Sequence, residues 1–187
     1  MRMVCAILWF AAGLCFAAPG TAELVVNDLR GVAYHPFEPG AKLGSVVIFY
    51  WHDCPVCNSY APEINRIYAS YTNFAFYLVQ VDPDLTPAAA QQHAREYNLQ
   101  PPILLDPRHH LVKLAKATVT PEAVVFGKEG RPLYRGRIDD LYAALGKKRP
   151  TATRHDLVET LDAIRSGKRV TKEETKPVGC LIPRLDR

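Results

Sequence analysis

Several large classes of function are excluded by what this sequence does not contain. Its one Cys-x-x-Cys pair has no second pair and no His-x-x-x-His to accompany it. The usual motifs that complete a four-ligand zinc site are therefore missing. Concentrated charge is also scarce. The 23 basic and 19 acidic residues leave a formal charge of +4, scattered along the chain. No basic stripe interleaved with aromatics occurs, so nucleic acid is not an expected partner. Internal repeats and low-complexity segments are absent, which excludes repeat architectures. What remains is ordinary: 187 residues, 48% hydrophobic and 22% charged, enough for one globular domain.

The one long apolar run lies at residues 3–18, after Arg2 and before a small-residue stretch ending at Ala22. This pattern predicts a secretory signal peptide over residues 1–22, with residues 23–187 as the domain. The alternative is an uncleaved membrane anchor over residues 3–18, a run slightly short of a bilayer span. Leu14 before Cys15 argues against lipidation, because small residues usually precede a lipidated cysteine. Cleavage would remove Cys5, Cys15 and Arg2, and leave Cys54, Cys57 and Cys180. Export to a periplasmic or extracellular space permits disulfides, and it requires an external electron source or sink for any dithiol enzyme.

The chain is organised around residues 46–68. Six β-branched or aromatic residues, Val46 to Trp51, predict a buried strand. Ile64, Ile67 and Tyr68 then share one helical face. Between them stand Cys54 and Cys57. Pro55 suits the first helical position, where its missing N–H costs nothing, and this puts Cys54 at the N-cap. Unpaired amides and the helix dipole favour a thiolate there. A free thiol titrates near ~8.5, and thiols so placed fall to roughly 3.5–7.5. An exposed Cys54 is thus the expected attacking sulfur, and a more buried Cys57 the resolving one. Half a zinc site and an inert short-loop bridge are the competing readings.

Further along, Leu24 to Val26 has a short strand pattern, and residues 31–44 read as a loop. Residues 74–82 predict an inner strand. Thr86 and Pro87 open a helix, and residues 101–106 form a short strand before a short helix from Arg108. Residues 118–126 and 132–136 flank a hairpin turn, the second being an edge strand. Residues 138–150 read as a polar loop. Thr153 is the expected cap of a last helix bearing Leu157, Val158, Leu161 and Ile164. Residues 168–187 read as an extended tail, with an apolar docking segment around Cys180 at residues 177–182.

The run from Phe49 to Pro62 (apolar strand, aromatic, Cys-x-x-Cys, then proline) resembles the active site of the thioredoxin superfamily. The wider layout of residues 40–137 is similar to its redoxin branch, which holds peroxiredoxins and extracytoplasmic thioredoxin-like proteins. The resemblance implies an α/β thioredoxin-like fold: a central mixed β-sheet flanked by helices, with a redoxin-type insertion and here an added C-terminal tail. It implies a thiol-disulfide oxidoreductase acting on protein thiols and disulfides, with an upstream redox partner and no cofactor. Catalysis falls to Cys54 and Cys57. Trp51, His52, Pro55, Thr120 and Pro121 are its supporting residues, and Cys180 a candidate third thiol. Thr120-Pro121 matches the family's cis-proline, whose preceding backbone can pair with an extended substrate. His52 would favour the thiolate if charged.

Two departures qualify the resemblance. The buried carboxylate usual before the cysteines is replaced by Ile48, leaving Cys57 without a proton carrier. The threonine and proline of a peroxiredoxin pocket are replaced by Trp51 and Val47, which ranks an antioxidant peroxidase low. A copper-delivering redoxin-like protein is the other alternative, with a histidine joining the cysteines; no metal ligand set is assigned. His109 and His110 are expected at a solvated helix start.

Overall fold

The computed structural model describes residues 24–185. The proposed signal peptide and its cleavage site lie outside them. Among the described residues no helix is long and apolar enough to cross a membrane.

The described residues open with a two-strand hairpin: β1 (Val26–Asn27), beside the expected short strand, and β2 (Ala33–Tyr34), in the stretch expected to be a loop. Asp28 holds its turn, accepting from the Arg30 and Val32 amides at 2.8 and 2.9 Å. Strand β3 (Gly44–Tyr50) follows, buried along its whole length. Helix α1 (Pro55–Ser70) leads to β4 (Ala75–Gln80), parallel to β3. Next comes α2 (Pro87–Glu96), capped by the Thr86 hydroxyl, which accepts from the Ala89 amide at 3.2 Å. It joins β5 (Ile103–Leu105), parallel to β4, and then α3 (His110–Ala115).

The two-residue β6 (Val119–Thr120) precedes β7 (Glu122–Gly127), and a turn returns β8 (Pro132–Gly136) antiparallel to it. The main sheet runs β5-β4-β3-β7-β8, a mixed sheet with β3 at its centre and β8 at one edge.

Side chains alternate across this sheet. Val46, Ile48 and Tyr50 face Ile64 and Ile67 of α1, together with Leu157 and Leu161 of the last helix. Val47, Phe49 and Val79 face Leu111 and Val112 of α3 on the other side. A strand covered on both faces must be apolar at every position, which is why residues 46–51 carry no alternation. Each large side chain removed from water here contributes about 1.5–3 kcal/mol.

Two expectations for the C-terminal third are corrected. The polar loop contains a hairpin, β9 (Tyr142–Ala144) with β10 (Lys147–Lys148). Helix α4 (Asp156–Arg165) starts after His155 rather than Thr153. Thr153 is drawn off to the buried Asp140, donating from its amide at 2.6 Å and its hydroxyl at 2.7 Å. The Arg154 amide adds a third bond to that carboxylate, at 2.9 Å. The Thr153 hydroxyl and these two amides hold the Asp140 carboxyl well below its usual range.

Beyond α4 the described residues are extended. They run along the outer edge of β8 and into β11 (Cys180–Leu181), paired antiparallel with β6.

Candidate functional site

Strand β3 delivers the chain to a tight turn, in which the Cys54 amide donates to the Trp51 carbonyl at 3.0 Å. Cys54 is the N-cap of α1 with Pro55 at its first turn, and the Asn58 amide closes the first helical bond onto the Cys54 carbonyl. The sulfur therefore stands at the positive end of a 16-residue helix. Across from it the Thr120–Pro121 peptide is cis, the isomer implied by the resemblance. That geometry turns the Thr120 carbonyl to within 3.5 Å of Cys54 Sγ.

One expectation fails here. The N-cap position predicts an exposed Cys54, but it is fully buried and bonded to Cys180, 126 residues away. The tail covers it. Cys180 pairs with Thr120 and Leu181 with Val119, so the last strand lies along the edge beside the cis-proline. Thr120 Oγ1 donates to the Cys180 carbonyl at 3.4 Å. The approach is so close that a Cβ on Gly179 would fall 1.9 Å from the Thr120 oxygen. Only glycine fits there.

Upstream anchors fix the strap. The Arg135 amide donates to the Glu173 carbonyl at 2.9 Å, and the Thr175 amide donates to the Arg135 carbonyl at 3.0 Å. Tyr134 and Thr175 share a hydroxyl contact of 2.6 Å. Lys172 Nζ reaches the buried Asp156 carboxylate at 2.5 Å, and Arg137 Nε reaches its other oxygen at 2.6 Å. Burial opposes ionisation of Asp156, but its bonds to Arg137 and Lys172 prevail and its pKa falls below the usual value.

Cys57, one turn into α1, is a free and buried thiol. Burial pushes its pKa up to about 12, against the opposing pull of hydrogen bonding to the Trp51 backbone and the Thr120 side chain. In this bridged form it is a protonated reserve thiol.

The supporting residues have separate surroundings. His52 Nε2 is 3.3 Å from Asp53 and Nδ1 is 3.4 Å from Asp82. Trp51 Nε1 donates to the same Asp82 carboxylate at 3.3 Å, and its ring packs against the cores on both sheet faces. Among the described residues, the donor groups close enough to share an ion are His52–Asp53–Asp82 and Glu63–Asp139–His155, and neither includes a cysteine. His109 is not solvated as expected. It is buried, its Nε2 lying 2.7 Å from the Val81 carbonyl oxygen, because α3 begins under the end of β4.

Sequence reasoning missed a polar cluster behind Cys57. Tyr50 Oη donates to Asn58 Oδ1 at 2.8 Å, and His93 Nε2 meets the same oxygen at 3.0 Å. The Asn58 amide group donates to the His52 carbonyl at 2.9 Å. Burial, then the neighbouring Cys57, pushes the Tyr50 phenol far above its ordinary value. Burial, then His52, lowers the His93 pKa. The available signals were small: Tyr50 shares strand parity with Ile48, and His93 lies one turn from the buried Ala90.

A second missed residue is Glu122, directly after Pro121. Its Oε2 accepts from the Thr118 amide at 2.7 Å and hydroxyl at 3.1 Å, fixing the loop that presents Thr120. Its register partner is Phe49, so it belongs to the sheet face opposite the cysteines.

The AhpC/TSA family matches residues 39–131, a span that stops before α4 and the strap. A thiol-disulfide oxidoreductase, ResA, from Bacillus thuringiensis subsp. konkukian is 24% identical over 109 residues. The match covers 58% of this chain and 62% of that relative's length. Among solved structures, a conserved protein of Geobacillus kaustophilus superposes with a TM-score of 0.76 at 21% identity, covering 87% of this chain and 89% of that one. A hypothetical protein of Sinorhizobium meliloti gives 0.74 at 22%, covering 86% and 90%. A secreted Mycobacterium tuberculosis disulfide oxidoreductase homologous to E. coli DsbE gives 0.55 at 17%, covering 77% and 96%. At these identities the structural likeness establishes a thioredoxin-like fold.

Proposed function

We propose that this chain, which belongs to the redoxin branch of the thioredoxin superfamily, is an exported thiol-disulfide oxidoreductase whose substrates are cysteines of other proteins. The observation that carries the reading is one sulfur at the start of α1, beside cis-Pro121, with a second thiol one turn behind it.

Cys54 is the attacking residue. Freed from its bridge, its thiolate is stabilised by the first-turn amides of α1. In the reductive direction it attacks a substrate disulfide. One substrate sulfur leaves as a thiolate and takes a proton from solvent, and a Cys54–substrate bond forms. Cys57 then loses its proton and attacks Cys54 Sγ. The second substrate thiolate leaves, and a Cys54–Cys57 bond holds the two electron equivalents of oxidation. An upstream dithiol resets the pair; the oxidative direction reverses each step. Once the Cys180–Leu181 strand lifts away, the backbone of Val119 and Thr120 receives the substrate as an added strand in its place, which favours extended peptides over small disulfides. Pro55 keeps the first turn free of a competing N–H, and Trp51 and His52 form the rim.

The test is reduction of insulin by the full-length protein with a dithiol reductant. Wild type is expected to accelerate precipitation and Cys54→Ser to abolish the acceleration. Retained activity in Cys54→Ser would sink the proposal.

A further inference from the structure

We infer that Cys180 is a third redox cysteine of this cycle and that Gly179–Leu181 is a built-in peptide seated in the substrate groove. The inference rests on the reading of Cys54 as the reactive sulfur. It adds that the oxidised resting bridge is Cys54–Cys180 and that Cys180 resolves mixed disulfides alongside Cys57.

Three observations support it. First, the tail is held as an exchanging peptide would be held. Its cysteine is bonded to Cys54 while its backbone pairs with Thr120 and Val119 beside the cis-proline. A purely structural bridge needs no strand pairing on that edge. Second, the bridge does not sit in the middle of a sealed core. Leu181, the next residue, is 78% exposed, so the strand can lift outward. Third, the arm is tethered close by. Glu173 and Thr175 are fixed on Arg135, and only residues 176–179 separate that anchor from Cys180. A five-residue arm spans at most about 17 Å. Once released, Cys180 stays within reach of Cys54, at an effective concentration of order mM.

The chemistry balances without a new oxidant. With substrate joined to Cys54, the Cys180 thiolate attacks Cys54 Sγ. The Cys54–substrate bond breaks, the Cys54–Cys180 bond forms, and the substrate thiolate leaves and is protonated by solvent. The enzyme's two thiols are oxidised and the substrate disulfide is reduced to two thiols. Reopening follows either of two routes. Deprotonated Cys57 attacks Cys54 Sγ and expels Cys180 as a thiolate, moving the bridge to Cys54–Cys57. Alternatively, the upstream dithiol reduces the Cys54–Cys180 bridge directly.

Peptide mapping of the oxidised full-length protein without reduction, after alkylation of free thiols, is the first arm of the test. A Cys54–Cys180 linked peptide with Cys57 alkylated is expected. Gly179→Ala, which drives a Cβ onto the Thr120 oxygen, should shift the bridge to Cys54–Cys57 while the thermal transition remains cooperative. The second arm compares mixed disulfides formed with reduced-and-reoxidised insulin. Cys57→Ser should clear them through Cys180, whereas Cys57→Ser/Cys180→Ser should hold them roughly tenfold longer or more. Equal lifetimes in these two variants, or an oxidised wild type carrying only Cys54–Cys57, would overturn the inference. If Cys54→Ser still reduces insulin, the underlying oxidoreductase reading fails instead, so the two failures are distinguishable.

Discussion

Cys57 should be nearly silent for as long as the Cys54–Cys180 bridge is closed. Its pKa lies at about 12 rather than the ordinary 9.0, because the sulfur is buried under the first turn of α1. Thiolate is the species that reacts with alkylating agents. At pH 8, roughly one ordinary thiol in ten is ionised, against about one in ten thousand for Cys57, a ~1000-fold deficit. Timed iodoacetamide labelling of the full-length oxidised protein, read by peptide mapping, measures this directly. Labelling of Cys57 should be at least about three decades slower than in the unfolded chain, and should rise about tenfold per pH unit. Opening the bridge admits solvent, so the rate should jump on reduction. Burial also sets the sign of a stability effect. A thiol whose folded pKa is raised favours the folded state fully below pH 9.0, and this contribution is lost as pH climbs towards 12. Labelling of Cys57 at the unfolded rate with the bridge intact, or a rate indifferent to pH, would refute the reasoning.

Three other outcomes follow from the geometry. Asp156→Ala should cost about 3 kcal/mol in urea unfolding, because it leaves Arg137 and Lys172 facing an emptied buried site. The lowered Asp156 pKa makes its contribution full above the unfolded carboxylate value and lost as pH falls through the folded one, so the stability gap between wild type and variant in urea unfolding should narrow as the pH is lowered below the ordinary carboxylate range. Asn58→Leu strips the Tyr50 hydroxyl and the His93 ring of a shared acceptor, and should cost about 1–3 kcal/mol by thermal unfolding. Glu122→Ala removes the acceptor of the Thr118 amide and hydroxyl, and should loosen β6 enough to speed hydrogen exchange at Val119 and Thr120 by mass spectrometry.

The centre of the fold was legible because its signals are local. Val46 to Pro62 carries a strand, a turn and a helix start in consecutive residues, and Thr86-Pro87 names a helix start in the same way. Residues whose partners are distant in sequence were harder. Thr153 has the composition of a cap, which would accept from first-turn amides, yet its amide and hydroxyl instead donate to the buried Asp140 carboxylate. His109 looked solvated because nothing nearby in sequence showed that the Val81 carbonyl would lie above it. Asn58, His93 and Tyr50 meet only once α1, α2 and β3 are packed. The strand before the cysteines carries Ile48 where the family has a buried carboxylate; the one next to cis-Pro121, Glu122, faces the opposite side of the sheet. The apolar segment around Cys180 was visible as something that docks, while its bond to Cys54 depended on the path of the whole strap.

That path also settles how the sheet ends. Strand β8 is outermost, and a bare outermost strand offers its amides and carbonyls to any other chain. Arg135 instead spends both backbone groups on Glu173 and Thr175, with Gly136 permitting the close crossing. A protease nick ahead of Lys172, followed by reduction of the Cys54–Cys180 bridge, would therefore do more than release a cysteine: it would uncover a sticky rim, and the clipped molecules would tend to clump edge to edge.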